Sequence, residues 1–453
     1  AYKIAWIVPI MLFPAFGWIF YMLFSGNRFT KVGANNSRKH YTNNLIDIHK
    51  ILPQNNFIMD KLKENSHIAY GQAKYLENFG QSPIFINEES KYFEIGEEYY
   101  KSLLEELEKA EKFIFMEYFI IAKGEMWNSI LEVLKRKVKQ GVEVRLIYDD
   151  FGCIVKLPRN YYKELESYGI KCLVFNPVNP IFTIIYNNRT HRKITVIDGK
   201  IAFTGGINLA DEYINKVQRF GHWKDTGIFI KGEGVWSFTV MFLNMWNFIT
   251  KSNEDYSKYK APISPEHKNK KDGYIIPFSD SPLDKEIVSG NIYISLINNA
   301  KDYVYINTPY LIIDHEMTSA LCYAAKRGID VKIVTPHIPD KKAVFEVTRS
   351  NYTPLIEAGV KIYEYTPGFI HAKSFVVDDL YAVVGTINLD YRSLYLHFEC
   401  GIWIYNSKTI FDIKNDYLNT LEKCSNISLE ECKNISAIKE LFRSILKVFA
   451  PLM

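Results

Sequence analysis

Two stretches of the chain, 180 positions apart, carry one pattern. Residues 191–208 read HRKITVIDGKIAFTGGIN and residues 371–388 read HAKSFVVDDLYAVVGTIN. His191, Lys193, Asp198, Gly205 and Asn208 recur at the same spacing as His371, Lys373, Asp378, Gly385 and Asn388, without an insertion. A single such stretch could be a solvated strand edge followed by a turn, but its recurrence marks an internal duplication. That duplication constrains the fold more than any other feature.

The similarity extends upstream of both motifs. EKAEKFIFMEYFI near residue 111 parallels NNAKDYVYINTPYLI near 301, each a β-branched and aromatic run after a helical segment. LKRKVKQGVEVRLIYD parallels LCYAAKRGIDVKIVTP, and YYKELESYGIKCLVFNP parallels NYTPLIEAGVKIYEYTP, all reading helix, glycine, strand. Alternating helices and strands predict an α/β fold built twice, as two units related by a pseudo-two-fold axis, each a mixed sheet flanked by helices. The polar segment 251–272, with two prolines, is the expected linker between a first unit over 41–250 and a second over 273–453.

Packing two such units face to face would bring both motifs to one cleft. Two histidines, two lysines and two asparagines there suit a phosphodiester. Lys193, Lys373, Asn208 and Asn388 are expected to surround the phosphate with ammonium and amide donors. One neutral histidine can attack phosphorus while the other, protonated, donates to the leaving alcohol. Each histidine then needs an orienting carboxylate. Asp225, in GHWKDTGIF, is expected to serve His191, and Glu399, in YLHFECGIW, to serve His371. Asp198 and Asp378 complete the two catalytic motifs, but their place before turns favours a loop-pinning role over direct chemistry. His222, His315, His337 and His397 are read as structural or surface residues, with His222 set apart by its nearness to Asp225 in sequence. The chemistry calls for no metal and no cofactor.

Composition bounds the rest. In 453 residues, a 47% hydrophobic content allows two domain-sized cores, and a formal charge of +4 does not suggest a general nucleic-acid binder. Six scattered cysteines without a CxxC pair are expected to be reduced. Ile4 to Phe24 is an uncharged run of 21 residues, long enough for a helix to span about 30 Å of hydrocarbon. Arg28, Lys31, Arg38 and Lys39 follow it, so residues 1–40 are expected to anchor the chain with its body on the cytoplasmic side of the membrane. At the other end, Ile438, Leu441, Phe442, Ile445 and Phe449 share one helical face and Lys439, Arg443 and Lys447 another. Such a helix either lies on an anionic bilayer surface or packs its apolar face on the protein's own body.

The doubled pattern, His-x-Lys, four residues, Asp, six residues, Gly-Ser-x-Asn, resembles the signature of the phospholipase D superfamily. Gly206 and Thr386 stand where that signature has serine. Within the superfamily the chain resembles the bacterial cardiolipin synthase family along nearly its whole length. NNRTHRKITVIDGKIAFTGGINLADEY, HWKDTGIFIKGEGV, RSNYTPLIEAGVKIYEY, HAKSFVVDDLYAVVGTINLDYRSLYLHFE and the terminal APLM carry the likeness. The resemblance implies a duplicated phospholipase D-like fold and transfer between two phosphatidylglycerol molecules, giving cardiolipin and glycerol through a phosphatidyl-histidine. It implies His191 as nucleophile and His371 as general acid. Phospholipase D-type hydrolysis of a lipid or nucleic acid is the alternative activity.

Its implied partners are phosphatidylglycerol and anionic lipids, with no nucleic acid; a homo-oligomer stays open. The implied location is the bacterial cytoplasmic membrane. Family members commonly carry two membrane segments before the body, so a further segment is expected upstream of Ala1. The loop PVNPIFTIIYNN, just ahead of His191, is read as a lipid contact or as a core strand.

Overall fold

The computed structural model describes residues 7, 10, 11, 13–24, 55–178, 188–262 and 272–450. Most of the loop at 177–188 and the end of the linker lie outside these residues.

The duplication is visible strand by strand. A seven-stranded sheet runs in the order Glu89–Phe93, Gly227–Lys231, Ile201–Gly205, Lys193–Ile197, Phe113–Tyr118, Glu143–Asp149, Lys171–Phe175. The second sheet repeats it as Tyr274–Asp280, His397–Tyr405, Tyr381–Gly385, Ser374–Val377, Tyr303–Asn307, Asp330–Pro336, Lys361–Tyr365. In both, three parallel strands continue into an antiparallel set. The second sheet gains Phe85–Ile86 at one edge and Cys424–Asn426 at the other.

Strands such as Phe113–Tyr118 are buried at every residue, because each sheet is covered on both faces and alternation has no exposed side to report. The facing sides of the two sheets share one core. Phe115, Ile194, Val196 and Ile228 enter it from the first sheet, and Val376, Ala382, Val384 and Ile402 from the second. The helices Val235–Thr250 and Thr409–Leu421 fill that layer. The first is apolar around nearly its whole circumference because protein surrounds it.

Three features depart from the sequence reading. The helices Asn56–Asn65 and His67–Asn78 fall in the stretch assigned to the first unit, yet they pack on the second. Met59, Leu62, Ala73 and Leu76 join its outer core, and the Trp403 indole donates to Gln72 Oε1 at 3.0 Å. They lie outside the duplicated region, so no repeat signal could place them. The start of the linker is tied down: the buried Arg145 guanidinium binds Glu254 at 2.6 Å and the Tyr259 hydroxyl at 2.6 Å. At the C-terminus, the helix Ala437–Phe449 turns Lys439 and Arg443 inward onto Glu346, at 3.2 and 2.7 Å, and leaves Ile438, Leu441, Phe442 and Ile445 exposed. The packing of that apolar face on the protein's own body is thereby overturned.

Near the N-terminus the helix Pro14–Phe24 has eleven residues, about 16 Å at 1.5 Å per residue. Among the described residues no helix is long and apolar enough to cross a membrane. All six cysteines are free thiols.

Candidate active site

The two halves of the chain exchange strands at the site. Arg189–Thr190 runs parallel to His397–Phe398 of the second repeat, and the next amide, His191 N–H, donates to the Phe398 carbonyl at 2.9 Å. Gly368–Ile370 runs parallel to His222–Lys224 of the first repeat, and His371 N–H donates to the Lys224 carbonyl at 2.7 Å. Each histidine thus leaves its own repeat alongside a segment of the other, just before that segment's carboxylate.

The carboxylate pairing is therefore crossed. Glu399 accepts from His191 Nδ1 at 2.9 and 3.1 Å, and Asp225 Oδ2 accepts from His371 Nδ1 at 2.6 Å. The expected assignment, Asp225 to His191 and Glu399 to His371, is exchanged. Nearness along the chain favoured partners within a repeat, whereas the strand exchange brings partners from opposite repeats. With Nδ1 holding the proton toward a carboxylate, each imidazole keeps Nε2 for chemistry.

The two histidines, their two carboxylates, Lys193 and Lys373 are all buried, and burial sets their proton affinities. It depresses both histidines well below the ordinary value, reinforced by Lys193 and Lys373 and, more weakly, by Lys341. A backbone hydrogen bond with Gly206 acts the other way on His371 alone. Burial brings Lys193 down to about 8 and Lys373 to about 7, although Glu399 and Asp225 oppose it. The same burial pushes Asp225 up to about 6 and Glu399 to about 7 against the pull of the lysines. Both histidines are thereby held neutral near pH 7, a state fit for nucleophilic attack. The surrounding ammoniums are held poorly solvated, so an incoming anion gains more from them than it would at the surface.

The other motif residues divide by place. The Lys193 and Lys373 ammoniums donate to the carbonyls of His191 and His371, one of three donors used on each. Asn208 was expected to face phosphate, but its amide nitrogen donates to the Tyr213 hydroxyl at 2.7 Å and its oxygen accepts from Ile120 N–H at 2.9 Å. Asn388 donates to Asp390 Oδ2 at 3.0 Å. Asp198 lies at the far end of its strand, roughly 20 Å from His191 at about 3.3 Å per residue. There it accepts the backbone N–H groups of Glu111, Lys112 and Phe113 at 2.7–2.8 Å. Asp378 accepts those of Lys301, Asp302 and Tyr303 at 2.7–2.9 Å. Both aspartates sit at positive φ, +54° and +55°, in the hairpin turns. Their place among the catalytic groups is corrected: they fix the start of the adjacent antiparallel strand and touch no reacting atom.

The two departures from the serine signature have opposite consequences. The Thr386 hydroxyl donates to Glu399 Oε2 and so holds the carboxylate that serves His191. At Gly206 an added Cβ would lie 2.0 Å from Asp225 Oδ1, so the glycine makes room for the carboxylate that serves His371.

Sequence reasoning missed two neighbours. His397, read as structural, lies tilted against His191 with ring centroids 5.7 Å apart, and among the described residues neither of its buried nitrogens has a hydrogen-bond partner. Tyr213 meets His371 edge-on at 5.6 Å. Neither belongs to the repeated motif, which was the only signal available. His222 faces Tyr365 at 3.0 Å rather than Asp225. Among the described residues, His191, His397 and Glu399 could hold a metal ion, with ligand atoms within 4.8 Å of one another. Two of these are already bonded to each other, and both lysines act on the same space, so the cluster suits an anion better than a divalent cation. A cavity of about 660 Å³, lined by Lys200, Lys231 and Trp236, belongs to the opposite sheet end, beyond the Gly199 turn, and contains none of these groups.

The family model described as "Cardiolipin synthase, PLD-like domain" matches residues 103–245 and 293–421, one segment for each repeat. The chain belongs to the cardiolipin synthase family. It is 34% identical to a cardiolipin synthase of Alkalihalophilus pseudofirmus over 456 residues, covering 99% of this chain and 88% of that one. To an uncharacterized protein of Streptococcus mutans it is 46% identical over 452 residues, covering 99% and 96%. Among solved structures it resembles a phosphatidylserine synthase of Haemophilus influenzae, with a TM-score of 0.59 at 16% identity, covering 84% of this chain and 97% of that one. That likeness supports the duplicated phospholipase D-like α/β fold. Family membership makes the protein a phosphatidyltransferase, and the cleft between its repeats is where the family's paired motifs meet.

Proposed function

We propose that the protein joins two phosphatidylglycerol molecules to give cardiolipin and glycerol. The observation that carries this reading is the crossed pair of carboxylate-bound histidines flanked by two buried lysines. His191 Nε2 donates its lone pair to phosphorus. As the anionic phosphodiester binds, His371 takes up a proton at Nε2 from solvent; the bond from phosphorus to the departing glycerol oxygen breaks, and that oxygen takes this proton. The primary hydroxyl of a second phosphatidylglycerol then gives its proton to His371 and attacks phosphorus, and the P–N bond returns its electrons to His191. Lys193 and Lys373 hold the non-bridging oxygens throughout. Asn208 and Asn388 act on the loops that frame the site.

The two histidines are not equivalent. The Gly206 backbone hydrogen bond favours the protonated form of His371. The charge of a bound phosphodiester adds to this effect, so His371 serves as the acid and His191 as the nucleophile. Residues 4–24 anchor the chain in the cytoplasmic membrane, with the cleft on the cytoplasmic side. Incubation of the purified protein with phosphatidylglycerol, without added metal, tests the reaction: mass spectrometry should find cardiolipin and glycerol in equal amounts. Phosphatidic acid as the main product would establish hydrolysis instead.

A further inference from the structure

The C-terminal helix is packed in the reverse of the usual sense. Its basic side is turned to the protein, where Glu346 receives both Lys439 and the buried Arg443. Its apolar side faces out, with Ile438 82%, Leu441 63%, Phe442 48% and Ile445 49% exposed. Rolling the helix to bury this face would strip Glu346 of two cations and expose the Arg443 pair, so the ion pairs fix the apolar side outward.

We propose that this face is a bilayer-docking surface, which lies at the headgroup–acyl boundary of an anionic membrane and holds the mouth of the cleft against its lipid layer. The inference rests on the phospholipid reading of the site for the second half of that statement only.

The helix sits at the right place. It packs on the helix Lys342–Ser350, which begins beside Lys341, a residue whose charge reaches both histidines. The first repeat contributes exposed apolar groups at its equivalent position: Phe151, Ile154 and Val155 follow Asp149, which accepts the Thr190 N–H one residue before His191. Apolar surface therefore borders the cleft from both repeats. One observation favours a bilayer over a second copy of the chain. A helix face of this kind offers a few hundred Å², short of the roughly 800 Å² per partner of a stable protein interface.

The test uses the full chain in nanodiscs containing phosphatidylglycerol, with Cys322, Cys424 and Cys432 replaced by serine and a spin label on Leu441→Cys. The label should be more accessible to oxygen than to a water-soluble nickel chelate, and a label on Lys433→Cys should show the reverse. In parallel, Leu441→Glu with Ile445→Glu should raise the apparent KM for vesicular phosphatidylglycerol about tenfold. Turnover of a dihexanoyl substrate dispersed as monomers should stay unchanged, which also shows that the variant is folded. If wild type turns over neither substrate, the phospholipid reading fails and the spin label still decides docking. A water-exposed label at position 441 would overturn the proposal. So would glutamate variants that convert a dimer to a monomer while leaving the KM for vesicular phosphatidylglycerol unchanged, since a second copy would then be the occupant.

Discussion

Replacing Asp225 with asparagine separates the crossed arrangement from any pairing within a repeat. In the resting site the Asp225 carboxylate lies 2.6 Å from His371 Nδ1. When His371 carries a proton, the charges sit about 4 Å apart, worth about 4 kcal/mol at an effective dielectric of about 20. Asparagine keeps the shape and loses that attraction, so a step requiring protonated His371 should slow about 10³-fold. The assay compares two substrates in a single turnover. Phosphatidylglycerol must have its glycerol oxygen protonated, whereas phosphatidyl-p-nitrophenol releases a phenolate that departs without a proton. Asp225→Asn should slow glycerol release about 10³-fold and phenolate release less than about tenfold, since His191 and its Glu399 are untouched. Glu399→Gln should slow both. If Asp225→Asn slows both equally and Glu399→Gln spares the aryl ester, the assigned roles are wrong.

Three further outcomes follow from the same geometry. His191 must be neutral to attack, and its proton affinity is held down by burial and then by Lys193 and Lys373. Lys373→Gln removes one cation, raises the His191 pKa and should move the acidic limb of the kcat/KM profile about one unit to higher pH. Gly206→Ala places a methyl 2.0 Å from Asp225 Oδ1, so it should reproduce the leaving-group selectivity of Asp225→Asn in the same assay. Asp378→Ala leaves three backbone N–H groups without their acceptor. It should lower unfolding stability by about 2–4 kcal/mol in denaturant titration, while kcat of the folded fraction stays within about twofold.

Much of the site was legible because it is written twice. The spacing of His191 and Lys193 against His371 and Lys373 required one cleft, and the helix–glycine–strand cadence of both halves required matching sheets. Asp225 and Glu399 stood out as carboxylates following each motif, but which histidine each serves depends on strand exchange between repeats, a contact no linear spacing encodes. The helices Asn56–Asn65 and His67–Asn78 occur once, so nothing in the duplication told which sheet they cover. The amphipathic period of Ala437–Phe449 was plain, yet the outward turn of its apolar face follows from Glu346, about a hundred residues upstream. His397 differs from the other single histidines only by its place next to His191, which the sequence does not show.

The most direct test of the account is the site of covalent attachment. Wild type and His371→Ala are mixed with phosphatidylglycerol, quenched in alkali to preserve the P–N bond, digested and mapped by mass spectrometry. The phosphatidyl group should be found on His191 in both, and none should form in His191→Ala. A phosphatidyl group on His371 would contradict the assignment of nucleophile and acid.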